Sequence, residues 1–127
     1  MAAPARLVGL VQNSTYPFTI VINGAPNAIG QSVDYSTATS AVVKFSGTDP
    51  ATGNVRVETW TAVGIASQTS SQLVLTVTPQ VSGVGSITIA NEAFSMRPEV
   101  TLGGSVVHPE VYFVGIVEAE APKQGAS

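Results

Sequence analysis

The chain has 127 residues, with no cysteine, one histidine, two lysines, five basic residues and eight acidic ones. Each shortage excludes something. Without cysteine there is no disulfide framework, no thiolate nucleophile and no cysteine-bearing zinc site, and a single histidine excludes a multi-histidine metal centre. The formal net charge of −3 runs against nucleic-acid binding, which needs a broad basic face. Charged residues make up 10% of the chain, where about 25% is ordinary. The longest apolar run, Val111 to Val117, falls far short of the roughly 20 residues of a bilayer-spanning helix, so no membrane partner is expected. The opening run Leu7 to Val11, closed by Gln12 and Asn13, is also shorter than the ~7–15 apolar residues of a signal-peptide core. The expected site of synthesis and assembly is therefore the cytoplasm.

What the chain does have is β-branched side chains. Valine, threonine and isoleucine together supply 39 of the 127 residues. These side chains are stiff at the first torsion and suit a pleated sheet. Glycine and proline punctuate short apolar runs, the pattern of an all-β sandwich or barrel. The expectation is one domain over residues 1–127, an antiparallel β-sandwich, Ig-like or jelly-roll-like, of about eight short strands. Residues 1–12 are read as an N-terminal contact arm and 120–127 as a polar tail.

Period-2 alternation places several runs. Pro17–Asn23 sends Phe18, Ile20 and Ile22 to one face, and Gln72–Thr78 does the same with Leu73, Leu75 and Val77. Ala41–Ser46 and Val55–Val63 read as a hairpin around Gly47–Asn54, a loop rich in turn formers. In its second arm Val55, Val57, Thr59, Thr61 and Val63 form an apolar face to be covered. Arg56, Glu58, Trp60 and Ala62 form a mixed face that is wet or meets a partner. Shorter strands are expected at Leu7–Val11, Gln31–Tyr35, Gly85–Ala90, Glu99–Leu102 and Ser105–His108. Glu110–Ala119 is apolar on both faces until Glu118 and reads as the longest and most central strand.

No constellation of catalytic residues emerges. His108 has the only side chain whose ordinary pKa lies near neutrality, but no nucleophile or carboxylate stands in register with it. The carboxylates Asp34, Asp49, Glu58, Glu92, Glu99, Glu110, Glu118 and Glu120 show no spacing that pairs two of them about a glycosidic bond, and they read as turn and surface groups. Asp49, Thr52 and Asn54 offer oxygens in one loop, yet a tight calcium site wants more than one carboxylate. Lys44 sits opposite Val43 and Phe45 on the wetter face, which disfavours a crosslinking lysine. Trp60, Tyr16, Tyr35 and Tyr112 form no clustered stacking platform. The acceptor pattern Asn13-Ser14-Thr15 has no secretory signal to give it meaning. No enzyme, no cofactor and no metal is expected, and no catalytic, cofactor-binding or metal residue is assigned. Trp60 beside Arg56 and Glu58 is the best local candidate for a protein contact, since Trp and Arg are enriched at interfaces.

The uncharged polar residues Ser, Thr, Asn and Gln total 37, nearly three times the charges. Such side chains pack against another protein at modest desolvation cost, whereas Lys and Glu resist it. Lysine also guards sheet edges against unwanted pairing, and two lysines guard little. The composition thus points to a subunit of a larger protein assembly.

This short, cysteine-free, charge-poor chain rich in Val, Thr, Ser, Gly and Ala, with its Met-Ala-Ala start, resembles small virion proteins of tailed bacteriophages. Among these it is similar to capsid decoration (cement) proteins and to Ig-like baseplate and fibre modules. The stretch Tyr35–Val63, YSTATSAVVKFSGTDPATGNVRVETWTAV, carries the likeness to Ig-like modules. The resemblance implies a non-enzymatic structural role on the virion, bridging subunits of the major capsid protein, with a homo-oligomer such as a trimer. A tail, baseplate, fibre or small coat component is the nearest alternative. A secreted carbohydrate-binding or adhesin module is the alternative of another class.

Overall fold

A computed structural model describes residues 4–23 and 30–120. The described residues form nine strands and one short 3-10 turn: β1 (Ala5–Arg6), β2 (Phe18–Asn23), the turn Tyr35–Thr37, β3 (Ala38–Thr48), β4 (Val55–Trp60), β5 (Val63–Gln68), β6 (Gln72–Val77), β7 (Ala93–Leu102), β8 (Ser105–Val107) and β9 (Phe113–Ile116). They make a β-sandwich. The larger sheet runs β1-β9-β7-β3-β4, with β8 paired to β7, and the smaller runs β2-β6-β5.

The core is built from the inner faces of both sheets, as alternation dictates. Ile20 and Ile22 of β2 and Leu73, Leu75 and Val77 of β6 are buried, and they belong to one cluster with Val43 and Phe45 of β3 and Phe94, Met96 and Val100 of β7. Each fully buried side chain of this kind contributes roughly 1.5–3 kcal/mol of transfer free energy. Phe45 stacks on Trp60 with centroids 4.6 Å apart and on Phe94 at 5.8 Å.

Several strand expectations are corrected. Leu7–Val11 is not a strand; the chain pairs earlier, at Ala5–Arg6, in parallel with β9. The described part of the N-terminal segment packs on its own domain. Leu10 is buried, Leu7 N donates to Val114 O at 2.8 Å, and Gln12 N donates to Glu118 O at 2.8 Å. Of the tail 120–127, only Glu120 lies within the described residues. Gln31–Tyr35 forms no strand; Asp34 caps the 3-10 turn that begins at Tyr35. The Ser36 hydroxyl donates to Asp34 Oδ1 at 2.6 Å and the Ser36 N–H at 3.0 Å, which holds the Asp34 carboxyl below its ordinary pKa.

Gly85–Ala90 is also not a strand, although Ile87 is fully buried and an isolated bridge links Gln80 to Ser86. The run Val55–Val63 divides: β4 ends at Trp60, and β5 starts at Val63 in the other sheet. Glu110–Ala119 shrinks to the four residues of β9, which lies next to the sheet margin. The longest strand is β3, with 11 residues.

The strand expected at Glu99–Leu102 extends back to Ala93, so Pro98 lies inside β7, opposite Val43. A proline cannot donate to a ladder. On the other side of β7, β9 pairs only as far as Met96 and β8 begins only at Val100, so Pro98 occupies the gap between them.

Three sheet margins, β1, β4 and β5, are guarded without lysine. β1 has two residues, β5 carries a register shift between Ile65 and Ser67, and β4 turns two charged side chains inward. Short edges, bulges and inward-pointing charges all discourage strand addition.

Candidate functional site

Arg56, Glu58 and Trp60 do not form an outward contact patch. The β3–β4 register sets Arg56 opposite Gly47, Glu58 opposite Phe45 and Trp60 opposite Val43, all toward the interior. Trp60 is 2% exposed. The guanidinium of Arg56 lies 4.6 Å from the Phe45 ring centroid, a cation–π contact. It also grips Glu92 with two parallel bonds, from Nε and Nη2, each at 2.8 Å. Its Nη2 donates to the Ser86 carbonyl at 2.9 Å and its Nη1 to Glu58 Oε1 at 3.2 Å. The Trp60 indole N–H and the Gly85 N–H complete the set on Glu58 Oε1, at 3.0 and 3.2 Å. The bond to Glu92 chiefly, with the two carboxylate charges, raises the Arg56 pKa above its already high ordinary value.

Two carboxylates that looked unrelated in sequence therefore converge, but on an arginine. Glu92 is fully buried and both of its oxygens are occupied. This is a structural centre that ties β4 to the turn before β7.

The other candidates are placed individually. His108 does have a carboxylate partner, Glu99, nine residues upstream; the β7–β8 hairpin brings the ring Nε2 to 2.9 Å from Oε2. Asp49 closes its own loop: Oδ1 accepts from Ala51 N at 2.8 Å and its carbonyl from Gly53 N at 2.7 Å. Among the described residues no three His, Cys, Asp or Glu side chains group as metal ligands would. Tyr35 is buried while Tyr16 is exposed, so the aromatics share no platform. Asn13 donates through its amide to Glu120 at 3.3 Å. A cleft of about 230 Å³ at the β4–β5 corner is lined by Trp60, Thr61, Thr78, Gln80 and Val84 among others. That is smaller than the ~300–1,000 Å³ usual for a small-molecule site.

The inward turn of Arg56 and Glu58 has a counterpart on the opposite side. Val57 is 76% exposed and Val55 62%, both on the outer face of the larger sheet. Cross-strand register extends each into a row. Val57 adjoins Ser46, Ser95 and Val114; Val55 adjoins Thr48, Ala93 and Ile116. The next row holds Thr59, Lys44 and Arg97, with Tyr112 under the Arg97 guanidinium at 4.3 Å. The Lys44 ammonium donates to Thr59 Oγ1 at 2.9 Å. No layer of the described fold covers these rows, which are small, β-branched and sparsely charged.

No protein-family model, no curated protein and no solved structure matches this chain. The outer face was missed in sequence because its residues come from four strands and line up only through register. The available signal was Trp60. The largest apolar side chain of β4 belongs in the core, and period 2 then sends Val55 and Val57 outward.

Proposed function

We propose that this chain is a non-enzymatic structural subunit of a protein assembly, held there by the outer face of its larger sheet. In its most specific form, drawn from the resemblance to small phage virion proteins, it is a capsid decoration protein that lies on a head lattice and bridges neighbouring subunits. One observation carries the reading: strand β4 exposes Val55 and Val57 while it turns Arg56 and Glu58 inward, where both are partly buried. Inward charges guard the edge of a water-facing strand, but the two valines it then exposes gain nothing from water. Covered by another protein they do gain, because apolar burial is the main favourable term in association.

The guarded β1 and β4 margins of the larger sheet agree with contact through its face and not with strand addition at its edges. Binding across subunit boundaries would stabilise the assembled state by mass action. Mass-spectrometric inventory of particles purified from the source organism tests the reading. The chain is expected at fixed stoichiometry in a high-mass particle together with a more abundant shell or tube protein. A chain found only as free monomer contradicts it.

A further inference from the structure

We infer that the partner covering the outer sheet face is an acidic protein surface, with carboxylates placed to reach Lys44 and Arg97 beside an apolar strip that meets Val55 and Val57. This rests on the assembly reading above and specifies the chemistry of the contact.

Lys44 and Arg97 are directly opposite one another in the β3–β7 register. Like charges so placed have Cβ atoms ~4.5–5.5 Å apart and are unfavourable. Their own contacts are neutral: the Thr59 hydroxyl for Lys44 and the Tyr112 ring for Arg97. Among the described residues the ion pairs are Arg56–Glu58, Arg56–Glu92 and His108–Glu99. Neither Lys44 nor Arg97 takes part in one.

Arg6 adds a third cation to the same face, since it pairs with Val114, the neighbour of Ser95. Three of the five basic residues of a chain with net charge −3 thus lie together on one face. The carboxylate that β7 contributes there, Glu99, is engaged by His108. Asp34 and Asp49 are elsewhere, at the 3-10 turn and in the β3–β4 loop. Glu118 accepts from Gly9 N beside the N-terminal segment.

The rest of the face selects among anionic partners. Beside the cations run two rows with no charge apart from Arg6 at the β1 margin, containing Val55, Val57 and Ile116, each more than half exposed. A phosphate backbone has no use for such rows and needs a denser field of cations. A second copy packed face to face on this one would bring the same face, whose β7 carboxylate Glu99 is already engaged by His108, and so no free partner for Lys44 and Arg97 from β7. Four strands spaced ~4.8 Å apart and three rows ~6.8 Å apart give a patch of about 400 Å² in plan, about half of the ~800 Å² that one partner contributes to a standard interface.

The test uses the purified full chain and a fluorescent ten-residue peptide of alternating Glu and Val, read by anisotropy. The controls are a Lys-Val peptide and a single-stranded oligonucleotide of the same charge. Expected is salt-sensitive binding of the Glu-Val peptide, weakened at least tenfold in Lys44→Glu/Arg97→Glu, with that variant binding the Lys-Val peptide instead. Lys44→Glu alone should keep or raise the melting temperature and still lose peptide affinity, an outcome that damage to the fold does not give.

Equal binding by the double variant overturns the inference. So does equal or tighter binding of the oligonucleotide, or self-association through this face. The two readings fail separately. Peptide results as expected, with no particle containing the chain, remove only the assembly role. A particle that retains Lys44→Glu/Arg97→Glu at full occupancy removes only the acidic partner.

Discussion

Gly47 stands directly across the sheet from Arg56, and the space left by its missing side chain is filled by the carboxylate of Glu92. A Cβ at Gly47 would collide with Glu92 Oε2 and with the Phe45 ring. The glycine is what allows a bidentate arginine–carboxylate pair to lie under an edge strand. Gly47→Ala is therefore expected to lower stability by about 1–3 kcal/mol, the range for overpacking a tight interior site. Urea denaturation checks this through a lower midpoint at unchanged slope.

Removing one partner of the pair leaves the other uncompensated. Arg56→Leu is expected to cost about 3–5 kcal/mol, because Glu92 stays buried without its two donors. Arg56→Leu combined with Glu92→Leu should cost less than Arg56→Leu alone, since no buried charge remains. A double-mutant cycle in denaturant measures the difference. Additive losses would show that the two side chains do not act as a unit.

Tyr35 carries a pH prediction. Burial pushes its phenol up to about 12 from an ordinary 10. The folded state holds this proton more tightly than the unfolded chain does. The resulting stability is present in full below pH 10 and is lost as pH rises through about 12. Alkaline unfolding monitored by phenolate absorbance should begin within that window and move to higher pH in Tyr35→Phe.

Lys44 and Arg97 give a prediction of opposite sign for stability and for association. Lys44→Glu converts a like-charge cross-strand pair into an ion pair and should stabilise the free chain by about 0.5 kcal/mol. Thermal denaturation of the purified chain reads this. A lower melting temperature would mean that the bond from Lys44 to Thr59 matters more than the repulsion.

The fold class and the inner faces of β2, β3 and β6 could be read from the sequence because alternation is a local property. Phe45, Ile22 and Leu75 reach the core from runs whose period is plain. What could not be read depended on distant partners. The inward turn of Arg56 and Glu58 needs the Gly47 gap, the Glu92 carboxylate and the Gly85 N–H, contributed by three other segments. Pro98 within β7 is tolerated only because β8 and β9 leave a space opposite it. Glu110–Ala119 looked central because it is apolar throughout, yet Gly115 faces the Leu7 carbonyl and the Phe94 ring, so that run closes the sandwich near its margin. The histidine partner Glu99 was invisible until the β7–β8 hairpin folded it back.

Zero-length carbodiimide crosslinking on intact particles or lysate from the source organism tests the central claim most directly. The reagent activates a carboxylate, and a lysine amine in contact with it displaces the activated group, forming an amide while the reagent leaves as its urea. The account predicts an amide between Lys44 and an Asp or Glu of a different polypeptide, together with protection of the β4 and β9 amides from hydrogen exchange in the assembled state. Lys44 with no intermolecular link, and β4 amides that exchange as freely in the particle fraction as in the isolated chain, would contradict it.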